Sequence, residues 1–541
     1  MALASLLLVG GASLLRAQGT GLVPSGDLVY ADIERLAELG VLDSVVVGQR
    51  PYSRREIARI ARVARARLER GNARFDFVAS DADRLLRRLE QVGNGAERGA
   101  TDADVSFIEG ASLSFSSTDA DRRGFPGASS RLTEATIDPL AQRRLGAPAL
   151  HGQTSALEVS HRIEPTGWLA FQARERIEYR RPGDTTLRRT TGEVLLASAR
   201  ARYRNAALTV GRQQFTWSQS AGDGLFLASD APALDAIVLS GDHPFQLPWL
   251  LRTLGPTQAT LVLAELGPTR VRSHSKLLTY KVSVAPSSAV ELGGTFMDHF
   301  GGEGGRLSSG RNRLIDFLPF LDIFRKHNYV DSTQEQDVDS DKLLGVDGRV
   351  RLDQLGGTVV TGELLIDDFD PARLPKLLTG FGSQTVAILL PHLGSPALSA
   401  KLSAKHMGII TYTHSQLTNG ITTRGRLLGD EHGPDAKSYS ALIRLAPSAD
   451  VRLELEARTE LYSKATYSSF YPDAGSSRYV VQKIASSPDE LRDLLFATLT
   501  VQSDDGIALT MRGGAERTRN ADFLGGRRRD YVVDIALRIG H

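Results

Sequence analysis

The sequence predicts an all-β transmembrane antiparallel β-barrel of about eighteen strands behind a small α-helical segment, and three observations carry the prediction. The chain ends on an alternating run in which Tyr531, Val533, Ile535, Leu537 and Ile539 share one side of an extended strand and Asp534, Arg538 and Gly540 share the other, because strand side chains point to opposite faces in turn. No stretch after residue 16 reaches the roughly 18 uncharged apolar residues that a membrane helix needs, so a membrane-spanning chain has to use strands. Beyond about residue 104 the apolar spacing changes from the helical period to the strand period.

Composition is compatible with this and decides little. Mean hydropathy of −0.17 with 24% charged residues suits strands that face lipid on one side and a polar lumen on the other, and suits a soluble protein equally. A length of 541 residues usually implies several domains, but one large barrel absorbs most of it. The formal net charge of +2 gives no case for a nucleic-acid partner. The sequence contains no cysteine, which excludes disulfides, zinc–thiolate sites and cysteine nucleophiles. We expect no cofactor and no metal.

In chain order, residues 1–17 resemble a secretory signal, with an apolar core from Leu6 to Leu15 and cleavage expected after Ala17. Residues 18–100 read as a helical periplasmic segment. Val29, Ile33 and Leu36 lie at helical spacing with Gly40 as the stop. Ser53 to Glu56 has the form of a capping box, followed by Ile57, Ile60, Ala61, Ala64 and Leu68 on one face. Ser80-Asp81 opens a third helix carrying Leu85, Leu86, Leu89 and Val92. Three short amphipathic helices need one another's faces and make a small bundle. The arginines of the second helix, from Arg54 to Arg70, read as a charged outer face rather than a grip for an anionic ligand.

Residues 101–541 carry the barrel. Phe171, Ala173, Ile177 and Tyr179 alternate with Gln172, Arg174, Arg176 and Glu178; Ala199, Ala201 and Tyr203 alternate with Arg200, Arg202 and Arg204 before a turn at Asn205. Leu278 to Val284 pairs through Pro286-Ser287-Ser288 with Val290 to Phe296. Further runs at 346–353, 357–366, 437–446, 450–462, 493–502 and 507–517 complete the set, with no helical crossovers. The last strand is expected to close against the first near Val105 to Phe115 and to carry the signal read by the barrel assembly machinery, although it ends in His541 where such signals usually end in an aromatic residue. Aromatic content of 6% is thin for two interfacial girdles.

Three groups of residues then carry a family resemblance: Gly211 to Trp217 with Asp223 to Ser229 and Asp235; Gly345 to Leu352 with Gly362 to Asp368; and Arg424 to Gly429 with Gly433 to Ala436. In that order and spacing, behind a helical segment, they resemble the capsule assembly Wzi family across nearly the whole mature chain. The resemblance implies a cell outer membrane barrel with a periplasmic helical segment, acting as a lectin that holds capsular or extracellular polysaccharide at the surface, with outer-membrane lipid around it. The chain departs from the family at Trp217, which is followed by Ser218-Gln219-Ser220 where the family tends to have glycine.

Sugar binding calls for planar polar groups and aromatic faces. Arg212, Trp217, Glu363, Asp367, Asp368, Arg424 and Arg426 have that chemistry: guanidinium groups fork onto carboxylates, carboxylates accept hydroxyl hydrogen bonds, and tryptophan offers an apolar platform. The same arginines and acids would equally pair across neighbouring strands. The segment Gly301 to Leu344 breaks the strand rhythm and is apolar enough in its middle to fold back as a plug or constriction, or to pack against a neighbouring loop. Asp337, Asp339 and Asp341 have calcium-like spacing, but Lys342 and Gly348 stand where an EF-hand needs glycine and glutamate. No nucleophile elbow, phosphate loop or zinc helix is present in the sequence. A porin-type channel is the alternative reading, and a hydrolase the lesser one.

Overall fold

The computed structural model describes residues 21–540 apart from 43–44, 71–78, 94–103, 122, 126–135, 138–139, 141–150, 184–187, 220–223, 306–339, 368–380, 415–416, 471–479 and 486. Eighteen strands form the wall. The first six are β1 (Asp104–Thr118), β2 (Gly152–Thr166), β3 (Leu169–Pro182), β4 (Arg189–Tyr203), β5 (Ala206–Gln213) and β6 (Leu234–Gly241). Next come β7 (Pro256–Glu265), β8 (Lys276–Ser287), β9 (Val290–Phe300), β10 (Ser340–Leu352), β11 (Thr358–Asp367) and β12 (Ser383–Leu390). The last are β13 (Leu398–His406), β14 (Ala436–Ser448), β15 (Val451–Tyr462), β16 (Glu490–Gln502), β17 (Ile507–Ala521) and β18 (Gly526–Gly540). Each pairs antiparallel with its chain neighbours, and the two-residue strand Phe245–Gln246 adds to the foot of β7.

Closure falls where the alternation places it. Strand β1 pairs with β18, Phe115 opposite Ile535 and Ser112 opposite Arg538, and also with β2, so the sheet has no free edge. On β18 the side chains of Tyr531, Val533, Ile535, Leu537 and Ile539 are exposed, whereas Asp530, Val532 and Asp534 are buried. The same outward apolar parity recurs at Leu208 and Val210, Ile237 and Leu239, and Leu261 and Leu263. That belt is the surface a bilayer covers. Placing a charge in it, as in Ile535→Arg, is expected to cost about 2–4 kcal/mol near the bilayer midplane. Heat-modifiable migration on a gel measures it: the variant should give less of the compact folded band than the parent.

Connections at one end are short, such as Arg204-Asn205, Ser288-Ala289 and Ala449-Asp450, while those at the other end are long. Three helices pack against the short-turn end: α1 (Val29–Glu38), α2 (Arg54–Glu69) and α3 (Ala79–Gly93). Their apolar faces form a core of their own around Ile33, Leu36, Ile57, Ile60, Leu86 and Leu89. Gly40 ends α1 with φ of 72°, a left-handed conformation that glycine adopts without strain, and Val41 N donates to Leu36 O at 3.0 Å. Ser53 caps α2 by accepting from Glu56 N at 3.1 Å. The Glu56 carboxylate itself turns to Arg59, with two contacts of 2.7 Å.

Charges fasten this bundle to the barrel foot. Arg88, buried, grips Asp32 at 2.9 and 3.1 Å and reaches Asp450 at 3.2 Å. Arg84 also meets Asp450, at 2.7 Å, and Arg54 meets Glu109 of β1 at 2.7 Å. Other arginines of α2 are engaged as well, Arg65 with Asp83 and Glu90, both at 2.7 Å. The expected solvated arginine face is therefore partly a set of struts.

Candidate functional site

Among the described residues, two segments from the long-loop end turn into the barrel. Strands β5 and β6 have only eight residues each, so the chain between them, residues 214–219 and 224–233, drops into the lumen instead of rising above the wall. Residues 407–414 and 417–435, between β13 and β14, do the same. Ala228 N donates to Leu428 O at 2.9 Å, which joins the two segments. The Tyr412 hydroxyl donates to Leu225 O at 2.5 Å and accepts from Asp430 N at 3.0 Å; burial pushes that hydroxyl well above its ordinary value and keeps it a donor. Trp217, Leu225, Phe226, Ile421 and Leu428 pack here against Val262, Leu277, Met297, Leu343 and Leu365 of the wall.

That packing corrects one sequence expectation. The lumen face of β7 to β11 is apolar in this sector because protein covers it, not water. Among the described residues the plug comes from the segments preceding β6 and β14; the middle of the segment 301–344, expected as a plug or constriction or as packing against a neighbouring loop, lies outside the described residues.

Buried acids on the wall hold the plug. The two Glu363 oxygens accept Gln219 N at 3.2 Å and Leu225 N at 3.0 Å. Asp367 accepts Tyr412 N at 2.7 Å. Gln219 Nε2 donates to Glu291 at 3.0 Å and Asp347 at 2.6 Å, and Lys281 joins Asp347 at 2.5 Å. From the opposite end Val47 N and Gly48 N donate to Glu291 at 2.8 and 3.0 Å. Gln219 is thus the point where the inserted loop meets the amino-terminal segment. A Cβ on Gly48 would stand 2.6 Å from Gln219 Nε2.

The sequence candidates separate accordingly. Glu363 and Asp367 are plug anchors. Trp217 is 1% exposed and packs edge-on against Phe215 at 6.3 Å, so it presents no face to a sugar. Arg426 belongs to the tight turn that pairs with Thr422-Thr423. Asp368 lies outside the described residues. Arg212 faces outward at the upper rim and binds Asp235 with two 2.8 Å contacts. Arg424 reaches Glu193 at 3.0 Å on the same rim. Both guanidinium groups stay partly exposed.

The rest of the lumen holds a chamber of about 380 Å³. Its floor is Glu34, Glu38 and Val47, its roof Gln219, Glu431 and His432, and charged residues of β13, β14, β15 and β17 line its side. Arg444 bonds Glu454 at 2.9 Å and Glu38 at 3.2 Å; Arg458 bonds Glu456 at 2.8 Å and Glu431 at 3.4 Å. None of the described sequence candidates lines this chamber. Their missed signal was strand β15, where Arg452, Glu454, Glu456, Arg458 and Glu460 occupy alternate positions.

The roof is latched by a buried charge cluster. Asp430 takes Lys405 Nζ at 2.6 Å and His432 Nδ1 at 2.5 Å, and His432 Nε2 lies 3.2 Å from Glu460. Burial opposes the charge on His432, but the Asp430 and Glu460 carboxylates outweigh it and push the imidazole up to about 9. Burial likewise opposes ionisation of Asp430, yet Lys405 and His432 hold its carboxyl well below the usual range.

Comparison with known proteins places this arrangement. The sequence model of a family described as capsule assembly protein Wzi matches residues 122–530. The structure is similar to that of Wzi from Escherichia coli, described as an outer membrane protein involved in group 1 capsule assembly and a carbohydrate-binding β-barrel, with 16% identity, a TM-score of 0.64, and 96% of this chain and 99% of that one covered. OprD from Pseudomonas aeruginosa matches at 9% identity and a TM-score of 0.42, covering 82% of this chain and 96% of that one. No curated protein sequence matches the chain.

Proposed function

The chain belongs to the capsule assembly Wzi family, and from that premise we propose that it is an outer-membrane barrel that binds exported polysaccharide and holds it at the cell surface without chemical turnover. The observation that supports binding over diffusion is the lumen: two inserted segments fill it from the long-loop end and the amino-terminal segment enters from the other, meeting at Gln219. We place the short-turn end and its helices in the periplasm and the long loops outside, the usual orientation of bacterial barrels.

For the glycan contact we favour the rim pair Arg212–Asp235 and Arg424–Glu193. There, partly exposed guanidinium groups and exposed carboxylates offer forked donors and acceptors to sugar carboxylates and hydroxyls. The purified protein is expected to retain surface polysaccharide from its own cells. The double variant Arg212→Gln with Arg424→Gln should retain several-fold less while keeping the folded gel band. Undiminished retention would move the contact elsewhere on the barrel. In planar bilayers the unaltered protein should stay largely closed; steady conductance would favour a diffusion channel.

A further inference from the structure

The connection between β6 and β7 carries a short 3₁₀ helix, Trp249–Leu254, at the short-turn end. Its side chains are unusually bare: Trp249 is 94% exposed, Leu250 87% and Leu251 53%. Apolar side chains of this size gain free energy on leaving water, so a sequence of tryptophan and three leucines held in the open calls for an occupant.

Three observations say which. The first is position on the barrel. Thr257 shares outward parity with the exposed Leu261 and Leu263, and its pairing with Val284 continues the ladder without a register shift. Yet Thr257 is only 2% exposed, so the chain folds over the outer face of β7 at its foot. Gly255 fixes the fold-over: its φ is 74°, and a Cβ there would stand 2.1 Å from Ala285 O. The helix therefore lies outside the barrel, continuous with the apolar belt and not beneath the lumen.

The second is length. A tilted membrane strand needs about 9–11 residues, whereas β5 and β6 have eight and their outward apolar run ends above at the Arg212–Asp235 ion pair. The belt is short in this sector, and the helix adds apolar surface below it. The third is company. Trp168 and Tyr203, both exposed, sit on the neighbouring turns of the same end, and amphipathic aromatics collect at the lipid–water boundary.

We infer that Trp249–Leu254 is a lipid-facing hook, inserted into the periplasmic leaflet of the membrane, that restores the apolar height of the wall beside the short strands β5 and β6. Its partner is phospholipid: Trp249 and the leucines meet the upper acyl chains. Arg252, bonded to Gln246 at 3.1 Å, lies where headgroup phosphates are within reach. The inference rests on the outer-membrane reading of the barrel.

Tryptophan fluorescence separates the two, because the chain has three tryptophans and Trp217 is enclosed in the plug. The full-length variant W168F, reconstituted in phosphatidylethanolamine–phosphatidylglycerol vesicles with brominated acyl chains, reports Trp249. The variant W168F/W249F gives the background, and W168F/W249F/L261W places an indole in the belt. The hook predicts a loss of Trp249 emission comparable to that of the belt indole, with little quenching by aqueous iodide. Iodide quenching of Trp249 without lipid quenching, while the belt indole is quenched by lipid, overturns the hook and leaves the barrel in the membrane. Protection from both quenchers means a protein covers it, and also overturns the hook. Failure of lipid to quench the belt indole itself would refute the membrane reading.

Discussion

Replacing Glu363 with alanine is expected to convert a closed barrel into a conducting one. The Glu363 carboxylate spends both oxygens on backbone N–H groups of the inserted loop, Gln219 N and Leu225 N. A hydrogen bond contributes about 0.5–1.5 kcal/mol net, and the variant also leaves two buried donors unpaired at about 1–3 kcal/mol each. A loss of roughly 3 kcal/mol or more shifts a closed–open balance by about a hundredfold. The wall strand itself keeps its ladder on both sides, so the barrel should still fold. Single-channel recording gives the readout: frequent opening in Glu363→Ala, an intermediate response in Glu363→Gln, and near silence in the parent. A silent alanine variant would mean that the apolar packing around Phe226 and Leu428 holds the plug unaided.

The second large effect is set by pH. His432 stands at about 9 in the closed roof, against an ordinary value of 6.5. A group whose value is raised on folding stabilises the folded arrangement fully below its unfolded value and loses that contribution as pH climbs through the folded one. The window here is therefore pH 6.5 to about 9, and the contribution is on the order of 3 kcal/mol. Neutral imidazole no longer balances Asp430 and Glu460, which keep Lys405 and Arg458 but lose the cation they share. Hydrogen exchange across residues 417–435, corrected for its intrinsic pH dependence, should accelerate through that window. The variant His432→Gln should exchange fast already at neutral pH and respond little to further alkalinity. Equal protection in the parent at both ends of the window would remove the latch from the account.

How much of this could be read in advance follows from where the information lies along the chain. The alternation of Tyr531, Val533, Ile535, Leu537 and Ile539 is local, and lipid selects it strictly, so the wall and its closure on β1 were legible; the strand limits were less so, since β10 starts at Ser340, six residues ahead of the expected run at 346–353. The caps were legible for the same reason, since Ser53 and Gly40 act on atoms within a few residues. The plug was not. Its contacts join Glu363 to Leu225 and Tyr412 to Asp367 across many intervening residues, and its segments have no period to detect. Acids were expected on the lumen and found there, with Glu363 and Asp367 accepting backbone N–H groups of the plug. Val262, Leu277 and Met297 break the polar-lumen rule only because the plug covers them, a fact stored in another part of the sequence. The charged ladder of β15 was visible as a strand, but its place beside a chamber depended on which strands the plug left uncovered.

These features describe a barrel closed by its own loops, with a helical cap at the short-turn end, a latched roof and a charged rim. We propose that such a barrel retains polysaccharide and does not conduct it. Fractionation of a deletion strain tests that most directly, by measuring cell-bound and released surface polysaccharide against the parent. The released fraction is expected to rise at the expense of the bound one, total synthesis being unchanged, and the intact gene should restore the balance. Retention equal to the parent's, with normal synthesis, would contradict it.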